Sequence, residues 1–181
     1  MLVQKQPEGT YGSTQYGKLV LQLSSPLEFV FRHKEYFLTH DIWRLPFQFV
    51  NRIGELSQAN LIMDTMESMN RSERMFTEAE QYIWGIGEGP VPELMGPIIN
   101  EKIRKGIKLK MLGPEGALVA IPSPSPRNVE LRGLSDIPVI IGLTEEGAAV
   151  CFRLVGGRTD YAGFSGKDPV FLNWVKDLFL Y

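Results

Sequence analysis

The sequence predicts an α/β fold with a mixed, largely parallel sheet flanked by helices. Three observations predict this class: residues 81–112 have the pattern of one strand-helix-strand unit, a β-hairpin pattern covers residues 139–154, and residues 168–181 carry the apolar stripe of a helix. The expected order up to residue 112 is helix, helix, strand, helix, strand, helix, strand. This order is typical of a largely parallel sheet covered by helices.

The strand-helix-strand unit is the strongest structural signal. Residues 82–87 form a short apolar run that ends in glycines, and residues 107–112 alternate apolar and basic side chains like a half-buried strand. Between them, Gly106 follows a basic helix end, which is a stop signal. The apolar stripe of this helix consists of Leu94, Met95, Ile98, Ile99 and Ile103.

The N-terminal third predicts two helices. Residues 1–17 are polar and predict no regular element, whereas residues 18–32 predict a helix that Pro26 kinks or breaks near Ser24 and Ser25. Such an early helix packs either on another subunit or on its own domain. A second helix is expected over residues 39–57, capped by Thr39 or His40 and kinked at Pro46.

A strand over residues 60–63 and a helix over residues 69–81 complete the elements that precede the unit. Residues 113–137 contain four prolines and predict either a lid or binding loop or a simple surface loop, in which only residues 128–131 pair.

The C-terminal part predicts antiparallel pairing followed by a helix. Strands over residues 139–143 and 148–154 flank a four-residue loop that contains Gly147. Asp168 is suited to cap the last helix, and Pro169 to begin it.

Composition indicates one globular domain of 181 residues. The net charge of −2 gives no general reason to bind nucleic acid or an anionic membrane. Cys151 is the only cysteine, which excludes an internal disulfide and predicts a buried structural thiol. No segment reaches the ~20 apolar residues of a membrane span, and no signal peptide is recognisable, so we expect a cytoplasmic protein.

Local charge is less balanced than the total. Between Glu101 and Arg132 there are seven lysines and arginines and three glutamates. This surplus suits an anionic ligand, or it forms a solvated basic face.

Known catalytic and phosphate-binding signatures are missing. Residues 85–90 (GIGEGP) lie where a dinucleotide loop would lie, but Pro90 takes the place of the third glycine. Gly166 and Lys167 lack the remainder of a P-loop. His33 and His40 show no metal-ligand spacing and no nucleophile elbow. The sequence therefore predicts binding rather than catalysis, with no metal and no cofactor.

Several stretches resemble the C-terminal effector domain of archaeal ArsR-like winged-helix transcriptional regulators, the group related to the methanogenesis regulatory protein family. These stretches are residues 37–46 (FLTHDIWRLP) running on to Phe49, Arg52, Ile53 and Leu56, residues 79–86 (AEQYIWGI), residues 157–164 (GRTDYAGF) and residues 174–181 (WVKDLFLY).

The resemblance implies a phospholipase-D-like half unit without catalytic function. Enzymes of that fold use His-x-Lys-(four residues)-Asp, but Glu35 and Ile42 stand where the lysine would follow His33 and His40. Residues 11–17 (YGSTQYG) are similar to the end of a winged-helix wing. We therefore expect residues 1–36 to be a wing remnant plus a linker and dimerisation helix, residues 37–181 to be the effector-sensing domain, and DNA to be contacted only through a winged helix that this chain lacks.

The predicted function is ligand sensing and homodimerisation in a transcriptional regulator. A small-molecule effector is expected at the carboxyl ends of strands 82–87 and 107–112. Its predicted contacts are Gly87, Glu88, Gly89, Arg127 and Arg132. The predicted dimer contacts are Leu19, Leu23, Leu27 and Phe31. Two alternatives stay open: a phospholipase-D-like hydrolase with an altered site, and a stand-alone interaction domain.

Overall fold

The structure, a computed structural model, describes residues 1–89, 95–118 and 128–181, with the side chains of residues 117 and 118 excluded. Its helices are α1 (Gln15–Arg32), α2 (Lys34–Thr39), α3 (Phe47–Val50), α4 (Thr65–Glu78), α5 (Met95–Arg104), α6 (Glu115–Leu118) and α7 (Pro169–Leu180), with a 3₁₀ helix at Ile53–Gln58. Its strands are β1 (Val3–Lys5), β2 (Tyr11–Ser13), β3 (His40–Asp41), β4 (Asn60–Ile62), β5 (Tyr82–Ile86), β6 (Lys108–Gly113), β7 (Val129–Gly133), β8 (Val139–Thr144), β9 (Ala148–Leu154) and β10 (Gly163–Gly166).

The α/β class with helices flanking a mixed sheet is confirmed, but the expected largely parallel arrangement is wrong. The eight-stranded sheet has the order β4-β10-β9-β8-β5-β6-β7, with β3 beside β9. Only the β5–β6 and β6–β7 pairs are parallel, and all other described pairs are antiparallel. The physical reason is that the β8–β9 hairpin pairs with β5 and separates it from β4, so the C-terminal strands form the centre of the sheet.

Helices cover both faces of the sheet. The side chains of β5 alternate between these two faces, so they contribute to a core on each side. Ile83 points to the face on which α4 and α5 pack, where Phe76 and Ile99 belong to the same apolar cluster. On the opposite face, the larger core contains Trp174 and Phe179 of α7. No helix of the described ranges is long and apolar enough to cross a membrane.

Two expectations for the first 32 residues are corrected. Residues 1–17 are not without regular structure, because β1 and β2 form an antiparallel hairpin. Of the kink or break expected near Ser24 and Ser25, the break does not occur: helix α1 continues through Pro26 to Arg32, since one lost backbone hydrogen bond does not outweigh the docking of its inner side. There Pro26 lies against Gly54, and Phe29 is buried among the core aromatic rings.

The single helix expected over residues 39–57 is wrong. His40 is extended and pairs with Leu154 of β9, which the chain reaches only through tertiary folding. Pro46 has the extended ψ of 137° and precedes the single turn of α3, so the proline separates elements rather than kinking one helix. The apolar residues that suggested a helix, such as Ile53 and Leu56, are buried from a 3₁₀ helix instead.

The other predicted elements are found with shifted ends. Helix α4 begins earlier than expected because the Asp64 side chain accepts a hydrogen bond from the Glu67 backbone N–H at 2.7 Å. Asp168 caps α7 as predicted, with Pro169 in its first turn. The pairing expected for residues 128–131 occurs as β7, whereas β10 was not predicted.

Candidate functional site

A cavity of about 100 Å³ lies between the sheet and helices α4 and α5, at the carboxyl end of β5. Its walls are mostly apolar. Helix α4 contributes Ser68, Met69, Ser72 and Phe76, β5 and the following loop contribute residues 85–89, and the remaining walls are Met95, Ile99, Met111, Ile140, Ile141, Gly142, Cys151 and Tyr161. An apolar wall with a few polar groups is the usual lining of a small-molecule site, but the volume is smaller than the roughly 300–1,000 Å³ of typical ligand pockets, so a ligand here must be small or extend out of the cavity.

The floor of the cavity exists because two glycines lie side by side in the sheet. Gly85 of β5 is the register partner of Gly142 of β8. A Cβ atom on Gly85 would lie 2.7 Å from the Met111 Sδ atom, and one on Gly142 would lie 3.2 Å from the Met75 Cε atom. The absence of side chains at these two positions leaves the space that the neighbouring methionines and the cavity occupy.

The polar groups of the cavity come from separate elements. Burial raises the pKa of Tyr161, with the neighbouring Cys151 and Glu88 adding to the shift, so this half-buried phenol stays protonated at neutral pH and can donate a hydrogen bond. The Cys151 thiol donates to the Tyr161 backbone carbonyl at 3.3 Å. Ser68 and Ser72 of α4 line the same space. These groups can orient a ligand that is mainly apolar.

Glu88 forms an ion pair behind this wall. Its Oε1 atom lies 2.6 Å from the Nη1 atom of Arg153, whose side chain is only 14% exposed. The same Nη1 group donates to the Ile137 carbonyl at 3.1 Å, and Nη2 donates to the Gly157 carbonyl. Arg153 therefore links the loop after β5 to the end of β9.

The predicted ligand contacts are only partly brought together. Gly87, Glu88 and Gly89 all line the cavity. Arg132 lies on strand β7 with its side chain 71% exposed and paired with Glu130 at 2.6 Å, and it does not line the cavity. Arg127 lies outside the described residues, as do residues 119–127 of the predicted lid.

The predicted dimer contacts form an exposed stripe on α1. Leu19, Leu23, Leu27 and Phe31 follow one another at four-residue intervals and are 52–75% exposed. Adjacent members of this stripe lie near each other because residues four apart share one helix face. The opposite side of α1 carries Phe29 into the core.

The two histidines occupy structural positions. His40 is 3% exposed and stacked on Tyr36, with its Nδ1 atom 2.9 Å from the Tyr36 carbonyl and its Nε2 atom 3.3 Å from Asp160. His33 contacts the rings of Phe29 and Phe164 edge-on. Within the described ranges, no group of three or more His, Cys, Asp or Glu residues is arranged to hold a metal ion.

Sequence reasoning missed Arg153, Tyr161 and the glycine pair. Arg153 interrupts the otherwise apolar run of residues 148–154, and a charge in such a run is a signal of a buried polar contact. Tyr161 gave no signal, because only the pairing of β9 with β10 brings this part of the chain to the cavity.

Cys151 provides a test of this environment. Burial raises the pKa of the thiol from 9.0 to about 12, so at pH 8 the thiolate fraction falls by about 1,000-fold. We expect labelling by a disulfide reagent at pH 8 to be about 1,000-fold slower in the folded protein than in urea, as followed by absorbance. Labelling of the folded protein at the rate of a free thiol would show that Cys151 is accessible.

Comparison with known proteins finds similarity in structure only. No protein-family profile matches the sequence, and no curated protein does. TrmBL2, an archaeal chromatin protein with a novel mode of DNA binding, aligns over 99% of this chain and 74% of its own, at a TM-score of 0.55 and 17% identity. NucT from Helicobacter pylori aligns over 67% of this chain and 92% of its own, at a TM-score of 0.53 and 9% identity. At these identities the likeness concerns the fold, and the chain has a fold similar to that of both proteins.

Proposed function

We propose that the chain is the ligand-sensing and dimerisation part of a transcriptional regulator, and that it is not an enzyme. The observation that carries this proposal is the cavity at the carboxyl end of β5, where Gly87–Gly89 lie. Open α/β sheets bind ligands beyond the carboxyl ends of their strands. The cavity is mainly apolar and has few polar groups, which suits recognition of a small effector.

A role in regulating transcription is supported by the similarity of the fold to that of TrmBL2, an archaeal chromatin protein that binds DNA. In this proposal, the β1–β2 hairpin is the wing of a winged helix and α1 is the linker that follows it. Thr14 caps α1 and is also bound to the hairpin: the Thr14 backbone N–H donates a hydrogen bond to the Leu2 carbonyl at 3.0 Å. This contact couples the hairpin to the start of α1, so a rotation of α1 would move both.

Dimerisation is assigned to the exposed stripe of α1. Four large apolar residues at four-residue intervals along one helix are suited to burial against the same stripe of a second copy, related by a two-fold axis. Effector binding at the cavity would then alter how two linker helices hold their DNA-binding parts.

A non-catalytic role is supported by the environment of His40. Both ring nitrogens of His40 have partners within 3.3 Å, and the ring is covered by Tyr36. A histidine nucleophile needs an accessible nitrogen, so this arrangement favours structure over catalysis.

The cavity can be tested with a neutral probe and methionine reporters. In protein labelled with ¹³C at the methionine methyl groups, we expect phenylacetamide to shift the signals of Met69, Met95 and Met111, which line the cavity. The signals of the exposed Met63 and Met66 should not move.

Two variants of α4 control this titration. Ser72→Phe fills the cavity and should reduce phenylacetamide affinity by at least tenfold, whereas Asn70→Phe, at an exposed position of the same helix, should leave it unchanged. Equal affinity in both variants, or shifts confined to Met63 and Met66, would refute a ligand site at the cavity.

A further inference from the structure

Arg153 is a nearly buried cation held by fixed backbone groups. It lies at the end of the apolar strand β9, and its Nη1 and Nη2 groups donate to the carbonyls of Ile137 and Gly157. The Gly157 carbonyl is set by the turn after β9, in which Gly156 and Gly157 have φ values of +101° and +88° that glycine adopts readily. These two carbonyl contacts hold the guanidinium independently of Glu88.

The positive charge of Arg153 is compensated by Glu88. Backbone carbonyls are neutral, and in the described part of the chain Glu88 is the carboxylate that pairs with this guanidinium. The Nε atom of Arg153 is buried and has no hydrogen-bond partner among the described residues, so the donor capacity of the guanidinium is not exhausted. A buried charge that loses its partner is strongly unfavourable, so any ligand that displaces Glu88 must replace its charge.

Glu88 is the movable member of the pair. Its side chain is 31% exposed and lines the cavity, whereas Arg153 does not line it, so a ligand reaches the guanidinium only through the place that Glu88 occupies. A Cβ atom added to Gly87 or Gly89 would meet no described atom within 4 Å, so the space beside both neighbours of Glu88 is open. Because the Gly87 N–H donates to the Leu112 carbonyl at 3.0 Å, Gly87 stays in place beside β6, and displacement of the carboxylate requires rotation of the Glu88 side chain itself.

We propose that the cavity takes a small ligand with an apolar body and a single carboxylate group, and that this carboxylate replaces Glu88 on Arg153. This inference rests on the proposed function of the cavity. The exchange keeps the buried charge neutral, because one carboxylate leaves as another arrives. The protonated Tyr161 phenol offers an additional donor, and a dianion would leave one charge uncompensated in a mostly apolar cavity.

Three probes of similar size and different charge test this inference. Dissociation constants of phenylacetate, phenylacetamide and phenethylamine are measured by the methionine-methyl titration for the wild type, Glu88→Gln, and the double variant Glu88→Gln/Arg153→Gln. Glu88→Gln removes the competing charge, so it should tighten phenylacetate binding about tenfold relative to whatever change it causes in phenylacetamide binding. In the double variant the gain for phenylacetate should vanish. Circular dichroism establishes that each variant is folded, and the comparison of wild type with Glu88→Gln suffices if the double variant is not.

The outcomes separate this inference from the proposed function. If phenylacetamide binds but Glu88→Gln does not tighten phenylacetate, the carboxylate exchange is refuted and the cavity stays a ligand site. If phenethylamine binds most tightly and Glu88→Gln abolishes its binding, Glu88 recognises a cation and the exchange is refuted. If no probe binds at 10 mM, a concentration at which even weak sites of about 1 mM are filled, both the inference and the ligand site fall.

Discussion

Leu23→Asp combined with Leu27→Asp is expected to convert the proposed dimer of this chain into a monomer. Both side chains are more than 60% exposed and belong to the apolar stripe of α1. Helix α1 has 18 residues and is therefore about 27 Å long, long enough for several such contacts along a two-fold pair. Each leucine buried in the pair contributes about 1.5–3 kcal/mol, and a buried aspartate without a partner opposes association further.

The measurement is the molar mass by light scattering after size-exclusion chromatography at several concentrations. Leu38→Asp is the matched control, because Leu38 is 71% exposed on α2 and does not belong to the stripe. We expect the control to keep the wild-type mass and the double variant to have half of it, with association weakened at least 100-fold. A wild type that is monomeric at 100 μM, or a double variant with unchanged mass, would place the interface elsewhere or remove it.

Trp174→Ala is expected to destabilise the fold by about 3–5 kcal/mol, as is usual for deletion of a buried aromatic side chain. The Trp174 ring is fully buried, packs edge-on against Phe49 and Phe152, and donates from Nε1 to the Phe49 carbonyl at 3.3 Å. Removal leaves a cavity under α7 and also leaves that carbonyl without its donor. This loss is a large part of the 5–15 kcal/mol by which domains of this size are typically stable.

Urea denaturation followed by circular dichroism measures this loss without depending on tryptophan fluorescence. Trp43→Ala is the matched control, since the Trp43 side chain is 73% exposed. We expect the control to shift the free energy of unfolding by less than about 0.5 kcal/mol. Equal unfolding midpoints for the two variants would contradict the packing of α7 described above.

Local sequence patterns predicted those elements whose signals are local. The helical stripe that includes Ile99 and Ile103, the hairpin around Gly147, and the Asp168 cap of α7 were all found. Each depends on residues only a few positions apart, where the 3.6-residue and two-residue periods apply directly.

Elements that depend on distant partners were not predictable in this way. The residues Gly163–Gly166 carry no strand signal, and they are extended because β9 and β4 pair with them on both sides. His40 is extended for the same reason, through Leu154. The parallel arrangement was inferred from element order, which does not reveal that a hairpin inserts between two strands.

The place of one loop of the candidate site was predictable, but the set of residues that line the cavity was not. The loop Gly87–Gly89 follows an apolar run, so its place at the end of a strand could be inferred. Gly85 lies beside Gly142 because of the register between β5 and β8. Arg153 meets Glu88 because β9 pairs with β8, which in turn pairs with β5. Neither can be deduced from the spacing of these residues in the chain.

The pairing of β4 with β10 has a consequence for biosynthesis. Leu61 and Phe164 are register partners although roughly 100 residues separate them. A contact of such long range closes late in folding, since the entropy of the intervening chain opposes it. During translation, β4 therefore lacks its partner strand until β10 has been synthesised. In this interval we expect the nascent chain to be most prone to aggregation.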